Sequence, residues 1–349
     1  MDLTGSAEKY RRSESPDVGN SPRVLVVMYH YVHDRKPSVQ GAAAGNADGV
    51  RGLTTDQFTA QVEQLGRELE PIDWPRLYAW MDGRGQVPQR SFLLTFDDGL
   101  ADHAKTVLPI LNHHDLRGVF FVPGSVLVEC RLLPAHAIHL LLSTLGDERL
   151  AQELGAYLRG REDGRVWADA LERDEDASLG NAAAMYHYET PQRARLKHLL
   201  TMELPIAMRR DALETLFARH IGSASRWSKH WYLGWEDLVA LRSHGHTVGG
   251  HGFRHEPYSR LSPREVREDV SRTAAILREG LGPDLRPFSY PYGSVTDEAV
   301  AACREAGFAH AFTTESCRLD NTCDLMRLPR IDTIHVGAVL EKELSCSQA

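Results

Sequence analysis

The sequence has no long apolar segment. No stretch approaches the roughly eighteen consecutive apolar residues that a transmembrane helix needs, so no membrane span is predicted. The first twenty residues, Met1 to Asn20, are polar and charged, and they contain neither the apolar core nor the small-residue cleavage pattern of a secretory signal. These absences predict a protein made and kept in the cytoplasm, with residues 1–20 as a disordered polar N-terminus.

Cysteine and positive charge are also scarce. The five cysteines are odd in number and have no Cys-x-x-Cys spacing, which argues against a disulfide framework and against a zinc ribbon. The 40 basic residues are outnumbered by 48 acidic ones and form no long basic run. The net charge of −8 therefore favours neither nucleic acid nor an anionic membrane surface as a partner. Small neutral or cationic substrates remain open.

What the sequence does contain is a repeated alternation of strand-like apolar runs and helical patterns. The strand-like runs are Val24–Met28, Phe92–Phe96, Gly118–Val122, Thr247–Gly249, Phe288–Tyr290 and Ala309–Thr313. Two helix starts carry capping boxes, Thr54 with Gln57 and Ser262 with Glu265. Repeated units of this kind predict an α/β fold with a parallel sheet, either open or closed into a barrel. A functional site is expected at the carboxyl ends of its strands.

Residues 125–234 interrupt this alternation, because they show helical periodicity and no strand-like run. The sequence therefore predicts one domain formed by residues 21–124 and 235–340, with a helical insertion between its two parts. Two interpretations of the insertion stay open. It forms a lid or a specificity wall over the site, or it serves as an oligomer contact or as padding.

Two adjacent acids, Asp97 and Asp98, follow the strand-like run that ends at Phe96. Adjacent carboxylates repel each other and lose hydration when buried, unless a cation or a proton neutralises one of them. One interpretation is a metal ligand beside a general base. The other, which is favoured while the pair is considered alone, is a strand-end turn in which Gly99 provides the turn geometry and Asp97 caps the next helix.

His251 and His255 lie four residues apart, between Gly249-Gly250 and Pro257, which indicates a tight loop. Two imidazoles at this spacing can reach one metal ion, although a polar surface pair is the alternative. Together with a carboxylate from another strand end, they form a set of two histidines and one carboxylate that suits a borderline metal such as zinc.

The segment Tyr290-Pro291-Tyr292-Gly293 surrounds an aromatic residue with proline and glycine at the end of a strand-like run. Such a segment holds the backbone in a fixed turn, where an N–H group can point at developing negative charge. An ordinary turn is the alternative interpretation.

Together and in this order, three segments resemble the first three motifs of the NodB-type polysaccharide deacetylases: Thr95–Gly99, His251-x-x-x-His255 and Tyr290–Gly293. The resemblance extends from about Val24 to Val336, apart from the insertion. It implies an irregular (β/α) barrel of the NodB deacetylase type with an inserted helical subdomain. It also implies removal of acetyl groups from N-acetylated sugars with the help of a divalent metal.

The same resemblance implies a role for each motif residue. Asp97 is expected to act as the general base, and Asp98, His251 and His255 as the metal ligands. Zinc is the metal expected first, with cobalt, manganese, iron or nickel as alternatives. A water activated by the metal would attack the amide carbonyl, and the backbone N–H of Tyr292 would help to stabilise the oxyanion.

The general acid that protonates the leaving amine is expected to be His30. The run that ends in Tyr29-His30 is similar to an N-terminal Tyr-His strand that supplies this histidine in variant relatives. His335, in Ile334-His335-Val336, is similar to the usual C-terminal motif and is the second choice.

One position departs from the family pattern. Ser289 stands where many relatives have an arginine that orients the base, and Arg286 is out of register with that position. Arg330 resembles an alternative arginine of variant members. We expect Arg330 to pair with Asp97 and to keep that carboxylate ionised.

The sequence thus predicts a cytoplasmic, metal-dependent carbohydrate N-deacetylase that removes an acetyl or formyl group from an N-acylated amino sugar. Because an export signal is absent, chitin and mature peptidoglycan are not the expected substrates. A soluble amino-sugar conjugate, a nucleotide- or lipid-linked glycan, or a biosynthetic intermediate of a small glycosylated metabolite is expected instead. Two alternatives stay open: hydrolysis of a cyclic amide, as in the allantoinase-like branch, and a non-catalytic barrel that binds glycans. A homo-oligomer formed through the insertion is a further expectation.

Overall fold

The structure, a computed structural model, describes residues 21–34, 50–172, 188–284 and 287–346, together with residues 180, 182, 183, 185 and 186. The N-terminal segment for which disorder is predicted, residues 1–20, lies outside the described residues, and so does Arg286. Within the part of the chain that is described, no helix combines the length and apolarity that crossing a bilayer requires.

A parallel sheet of eight strands forms the centre of the fold. Its strands are β1 (Arg23–Tyr29), β2 (Glu70–Pro71), β3 (Arg90–Phe96), β4 (Gly118–Val122), β5 (Thr247–Gly250), β6 (Phe288–Ser289), β7 (Ala311–Phe312) and β8 (Ile331–Asp332). The order along the sheet is β7, β6, β5, β4, β3, β1 and β8, and β2 pairs with β3 beside this path. The strands β2 and β8 were not predicted from the sequence, because neither lies in a continuous apolar run.

The two ends of the sheet approach each other through the segment that leads into β8. Leu328 forms a parallel bridge with Phe312 of β7 and exchanges backbone hydrogen bonds with that end of the sheet. A little further along the chain, Ile331 pairs with Val27 of β1. The sheet therefore curls into an irregular (β/α) barrel, which confirms the predicted fold class.

Helices surround the sheet. The α-helices are α1 (Thr55–Glu68), α2 (Trp74–Met81), α3 (Leu108–His113), α4 (Gly124–Val128), α5 (Pro134–Leu145), α6 (Asp147–Arg159), α7 (Arg165–Glu172), α8 (Pro191–His198), α9 (Ile206–His220), α10 (Ala224–Trp231), α11 (Trp235–Ser243), α12 (Pro263–Leu281), α13 (Asp297–Glu305) and α14 (Val336–Cys346). Short 3-10 or π-helical segments occupy Glu162–Gly164, Tyr258–Arg260, Pro291–Gly293, Thr333–His335, His103–Val107 and Leu199–Glu203. The capping boxes predicted at Thr54 and Ser262 are both present, at the starts of α1 and α12.

Side chains of the central strands alternate between two apolar layers. On β3, Leu94 and Phe96 belong to the layer beneath the surrounding helices. Leu93 belongs to a separate cluster that unites side chains of β1, β3, β4 and β7 inside the barrel. Because successive side chains of a strand point to opposite faces, Thr95 and Asp97 lie on the same face as Leu93. This alternation directs Asp97 into the barrel.

The helices α5 to α10 lie between β4 and β5 and pack around an apolar cluster of their own, which includes Leu141, Leu154, Leu200 and Leu216. Of the residues described between 129 and 231, none forms a strand of the sheet. Tyr232 forms an antiparallel bridge with Leu100, so the end of this helical region is attached to the loop after β3. The boundaries 125–234 of the insertion stay a prediction.

His246, the residue before β5, contacts the first residue of β4. Its Nδ1 accepts a hydrogen bond of 3.1 Å from the Gly118 N–H, and burial together with nearby Arg117 lowers its pKa to about 4. The unfolded chain binds a proton here below about pH 6.5, whereas the folded chain does so only near about pH 4. The stability that the neutral ring supports above about pH 6.5 is therefore lost as the pH falls towards about 4.

We expect the wild-type free energy of unfolding, measured in urea, to fall by about 2 kcal/mol more between about pH 7 and about pH 4.5 than that of His246→Asn. The asparagine oxygen keeps an acceptor for the Gly118 N–H but takes up no proton in this range. An equal fall in the two proteins would show that His246 does not link folding to pH.

Candidate active site

Side chains from several parts of the chain meet at the carboxyl ends of the barrel strands. Asp97 and Asp98 follow β3, His251 follows β5, and Ser289 ends β6. Arg330 reaches the same place from the segment that closes the barrel just before β8. All five side chains are buried. Parallel strands bring such residues together because their carboxyl ends share one edge of the sheet.

The backbone at this edge adopts unusual conformations. Among the described residues, four that are not glycine have a positive φ, and three of them are Asp98 (φ 74°), His255 (φ 55°) and Tyr292 (φ 57°). A left-handed conformation costs an L-residue roughly 1–2 kcal/mol. It persists where the surrounding structure enforces it, which is common at functional sites.

Asp97 forms a bidentate ion pair with Arg330. Nη1 of the guanidinium donates to Oδ1 of Asp97 and Nη2 donates to Oδ2, each at 2.8 Å. Nη1 also lies 3.2 Å from the hydroxyl of Thr95. Burial alone would raise the pKa of Asp97, but Arg330 and, more weakly, His251 outweigh it and lower the pKa to about 2. The carboxylate of Asp97 is therefore ionised, oriented and unavailable as a helix cap.

Ser289, which departs from the family pattern, takes part in this pair. Its hydroxyl accepts a hydrogen bond of 2.8 Å from Nη2 of Arg330 and lies 3.3 Å from Oδ2 of Asp97, to which it can donate. The arginine thus arrives from the barrel closure, and the serine on β6 supports it.

Asp98 faces two histidines. Its Oδ1 lies 3.0 Å from Nε2 of His255 and 3.3 Å from Nε2 of His251, and the two histidine nitrogens are 3.2 Å apart. Burial would raise the pKa of Asp98, but the neighbouring His255 and the hydrogen bond from His136 hold it well below its usual value.

These three atoms fit a divalent cation. They lie within 4.8 Å of one another, and Oδ1 of Asp98 has no hydrogen-bond donor of normal geometry among the described residues. Nδ1 of His251 donates to the Ser289 carbonyl oxygen at 2.8 Å, so Nε2 of His251 presents its lone pair to the other two atoms. One carboxylate oxygen and two imidazole nitrogens are ligands that zinc and similar metals accept.

Two residues of the site, His136 and Tyr232, were not predicted from the sequence. His136 lies on α5 of the helical region, is fully buried, and its Nε2 is 3.0 Å from Oδ2 of Asp98. Tyr232 lies 2.7 Å from Nδ1 of His136. The sequence contains 17 histidines, and no local pattern distinguishes His136 from the others. The structure thus brings the helical region to the acid pair.

The other predicted site residues lie around this centre. His30 follows β1. Its effect on Asp97 is to lower the pKa of that carboxyl, more weakly than Arg330 and His251 do. The ring of Tyr292 lies 4.8 Å from that of His255. His335 lies in the 3-10 turn after β8. The roles predicted for these side chains stay predictions.

The chain is similar in sequence to one known protein family. The sequence model of the polysaccharide deacetylase family matches residues 84–143 and 205–311. The matched segments contain the acid pair, both histidines of the loop after β5 and the Tyr292 turn. The described residues among the unmatched ones between them lie in the helical region. Helix α5 with His136 is almost wholly inside the first matched segment. None of the curated proteins compared with the chain matches it.

Solved structures share the fold. IcaB from Ammonifex degensii superposes with a TM-score of 0.54 at 16% identity, covering 92% of this chain and 97% of that one. The deacetylase PplD of Streptococcus pyogenes, in complex with acetate, gives 0.53 at 13% identity, covering 92% and 98%. The BpsB deacetylase domain from Bordetella bronchiseptica gives 0.50 at 14%, covering 91% and 98%. At these identities the likeness concerns the fold alone.

The second prediction concerns the ion pair of Asp97. Arg330→Met should lower the free energy of unfolding in urea near neutral pH by about 3–5 kcal/mol, because it leaves a buried carboxylate without its partner. Arg330→Lys should lose less, since it keeps the charge but not the bidentate geometry.

The matched control is Arg327→Met. Arg327 pairs with Asp297 at the surface, 2.8 Å apart, where an ion pair contributes about 0–1 kcal/mol. If Arg330→Met were no less stable than Arg327→Met, the buried pair between Asp97 and Arg330 would not contribute to stability as proposed.

Proposed function

We propose that this chain, part of which matches the polysaccharide deacetylase family, is a metal-dependent hydrolase that removes an acetyl or formyl group from the nitrogen of an N-acylated amino sugar. The observation that carries the proposal is that two adjacent buried carboxylates have different partners. Asp97 is bound by Arg330, whereas Asp98 shares its Oδ1 with Nε2 atoms of His251 and His255.

The metal-binding role falls to Asp98, His251 and His255. A divalent cation bound there would supply Lewis-acid chemistry, acidifying a water molecule and polarising the amide carbonyl of the substrate. Zinc suits this donor set, as do cobalt, manganese, iron and nickel. The left-handed backbone at Asp98 and His255 favours this role, because it fixes the direction of two of the three ligands.

Asp97 would accept the proton of the attacking water at a carboxylate oxygen. With a pKa of about 2 it is a weak base, so the proton transfer depends on a water that is already acidified. Arg330 contributes by keeping Asp97 ionised and by holding its carboxylate in one orientation through two hydrogen bonds. Arg330 is thus proposed as a residue that acts through the base.

The leaving group and the oxyanion need further partners. An amine leaves an amide only after it is protonated, and His30, close to Asp97, is the proposed donor of that proton, with His335 as the second choice. The backbone N–H of Tyr292, at a turn with φ 57°, is the proposed hydrogen-bond donor to the oxyanion.

The proposed acyl groups are acetyl and formyl. PplD, which shares the fold, is described in complex with acetate, and acetate is the product that an N-deacetylase releases. An acetyl group is therefore proposed first and a formyl group second.

The third prediction tests the proposed metal site and the reaction together. The purified chain should release acetate from at least one of a panel of N-acetylated amino sugars, or formate from an N-formylated one, and should hold a divalent metal by mass spectrometry. Asp98→Asn and His255→Ala should each lower the metal content, and each should lower turnover by about 100-fold or more. The loss of a direct ligand should cost at least as much as the loss of an outer-shell partner, which costs about 10–100-fold.

His244→Ala is the matched control, because His244 is an exposed histidine away from the site. Full turnover and full metal content in Asp98→Asn would refute the proposed role of Asp98. A wild-type chain with neither metal nor product release on the whole panel would favour the non-catalytic barrel instead.

The fourth prediction separates the two candidate acids. His30→Ala should slow release of acetate from an N-acetyl sugar by about 10²–10⁴-fold, yet leave hydrolysis of p-nitrophenyl acetate little changed, because a nitrophenolate leaves without protonation. His335→Ala should slow neither reaction by as much as His30→Ala slows release of acetate from the N-acetyl sugar. The reverse pattern, with the selective loss in His335→Ala, would assign the acid to His335.

A further inference from the structure

Both ring nitrogens of His136 have hydrogen-bond partners inside the protein. Nε2 lies 3.0 Å from Oδ2 of Asp98, and Nδ1 lies 2.7 Å from Oη of Tyr232. Oη of Tyr232 in turn accepts a hydrogen bond of 2.9 Å from the backbone N–H of Leu133, the residue that precedes α5. None of these side chains is exposed to solvent to any large extent.

The direction of each hydrogen bond follows from this chain of contacts. A carboxylate oxygen can only accept, so Nε2 of His136 donates to Oδ2 of Asp98, and Nδ1 of the neutral ring is left as an acceptor. The hydroxyl proton of Tyr232 points at that Nδ1, while Oη accepts from the Leu133 N–H. Burial raises the pKa of Tyr232, which keeps that proton in place. The proton of the neutral His136 ring therefore lies on Nε2, and Tyr232 supports this tautomer from the other ring nitrogen.

The two oxygens of Asp98 consequently have different surroundings. Oδ2 accepts a hydrogen bond from His136, whereas Oδ1 faces Nε2 of His251 and Nε2 of His255. A carboxylate with one oxygen held by a donor cannot rotate freely about its last bond. The donor on His136 therefore determines which oxygen of Asp98 is turned towards the other two proposed ligands.

We propose that His136, held by Tyr232, is a positioning residue that orients Asp98 for a divalent cation, and that the helical region is thereby part of the cation site. The inference rests on the metal site of the proposed function. His136 is not itself a ligand in this arrangement, since the Nε2 that faces Asp98 carries a proton and has no lone pair to offer. Its effect is on how strongly the other three residues bind the cation.

The experiment is a titration of the full-length, chelator-stripped chain with Co²⁺, followed by visible absorption and by competition with a chelating dye. His136→Ala should weaken Co²⁺ binding by about 10–100-fold, the usual consequence of losing an outer-shell partner. His136→Gln should recover most of the affinity, because its side-chain amide can still donate a hydrogen bond towards Oδ2 of Asp98.

The matched control is Leu141→Ala. Leu141 is a buried residue of the same helix that belongs to the apolar cluster of the helical region. We expect Leu141→Ala to lower the melting temperature while Co²⁺ affinity stays near that of the wild type. Affinity that fell as far in Leu141→Ala as in His136→Ala would mean that looser packing, and not the lost donor, is responsible.

Tyr232→Phe is the second arm if His136→Ala does not fold, since it removes only the hydroxyl group. We expect it to weaken Co²⁺ binding several-fold, and unchanged binding would overturn the inference. Wild-type affinity in His136→Ala, or His136→Gln no better than His136→Ala, would also overturn it while leaving the proposed function intact. A wild-type chain that takes up no Co²⁺ would overturn both.

Discussion

Two carboxylates in adjacent residues cannot both stay ionised inside a protein unless each has a positive partner of its own. Asp97 and Asp98 meet this requirement in different ways. Asp97 binds the guanidinium of Arg330 through both oxygens, whereas Asp98 lies against the two histidines with which it is proposed to bind a cation. The adjacent acids therefore have different partners, and the separate roles proposed for them depend on this difference.

Each partner comes from a part of the fold that is remote in sequence. Arg330 belongs to the segment that joins the two ends of the sheet, and its guanidinium lies 5.5 Å and 5.9 Å from the ring centroids of Phe121 and Phe312. His136 comes from the helical region after β4. Closure of the barrel and docking of the helical region are therefore both coupled to the acid pair, because each supplies a group that the pair needs.

The sequence was informative where local patterns determine the structure. Alternating apolar runs and two capping boxes predicted the longer strands and the starts of α1 and α12, and three ordered motifs predicted which side chains meet at the strand ends. No local pattern indicates that His136 reaches Asp98, since that contact depends on how the helical region packs. The same holds for the left-handed backbone of Asp98 and for the hydroxyl of Ser289 that supports Arg330, because tertiary contacts impose both.

X-ray diffraction from Zn²⁺-loaded crystals of the chain, recorded on both sides of the zinc absorption edge, tests the central claim most directly. We expect one strong anomalous peak about 2.0–2.2 Å from an oxygen of Asp98 and from Nε2 of His251 and of His255. Asp97 should still be bound to Arg330 in the same crystals. A peak coordinated by other residues, or no peak between these three side chains in a fully loaded crystal, would contradict it.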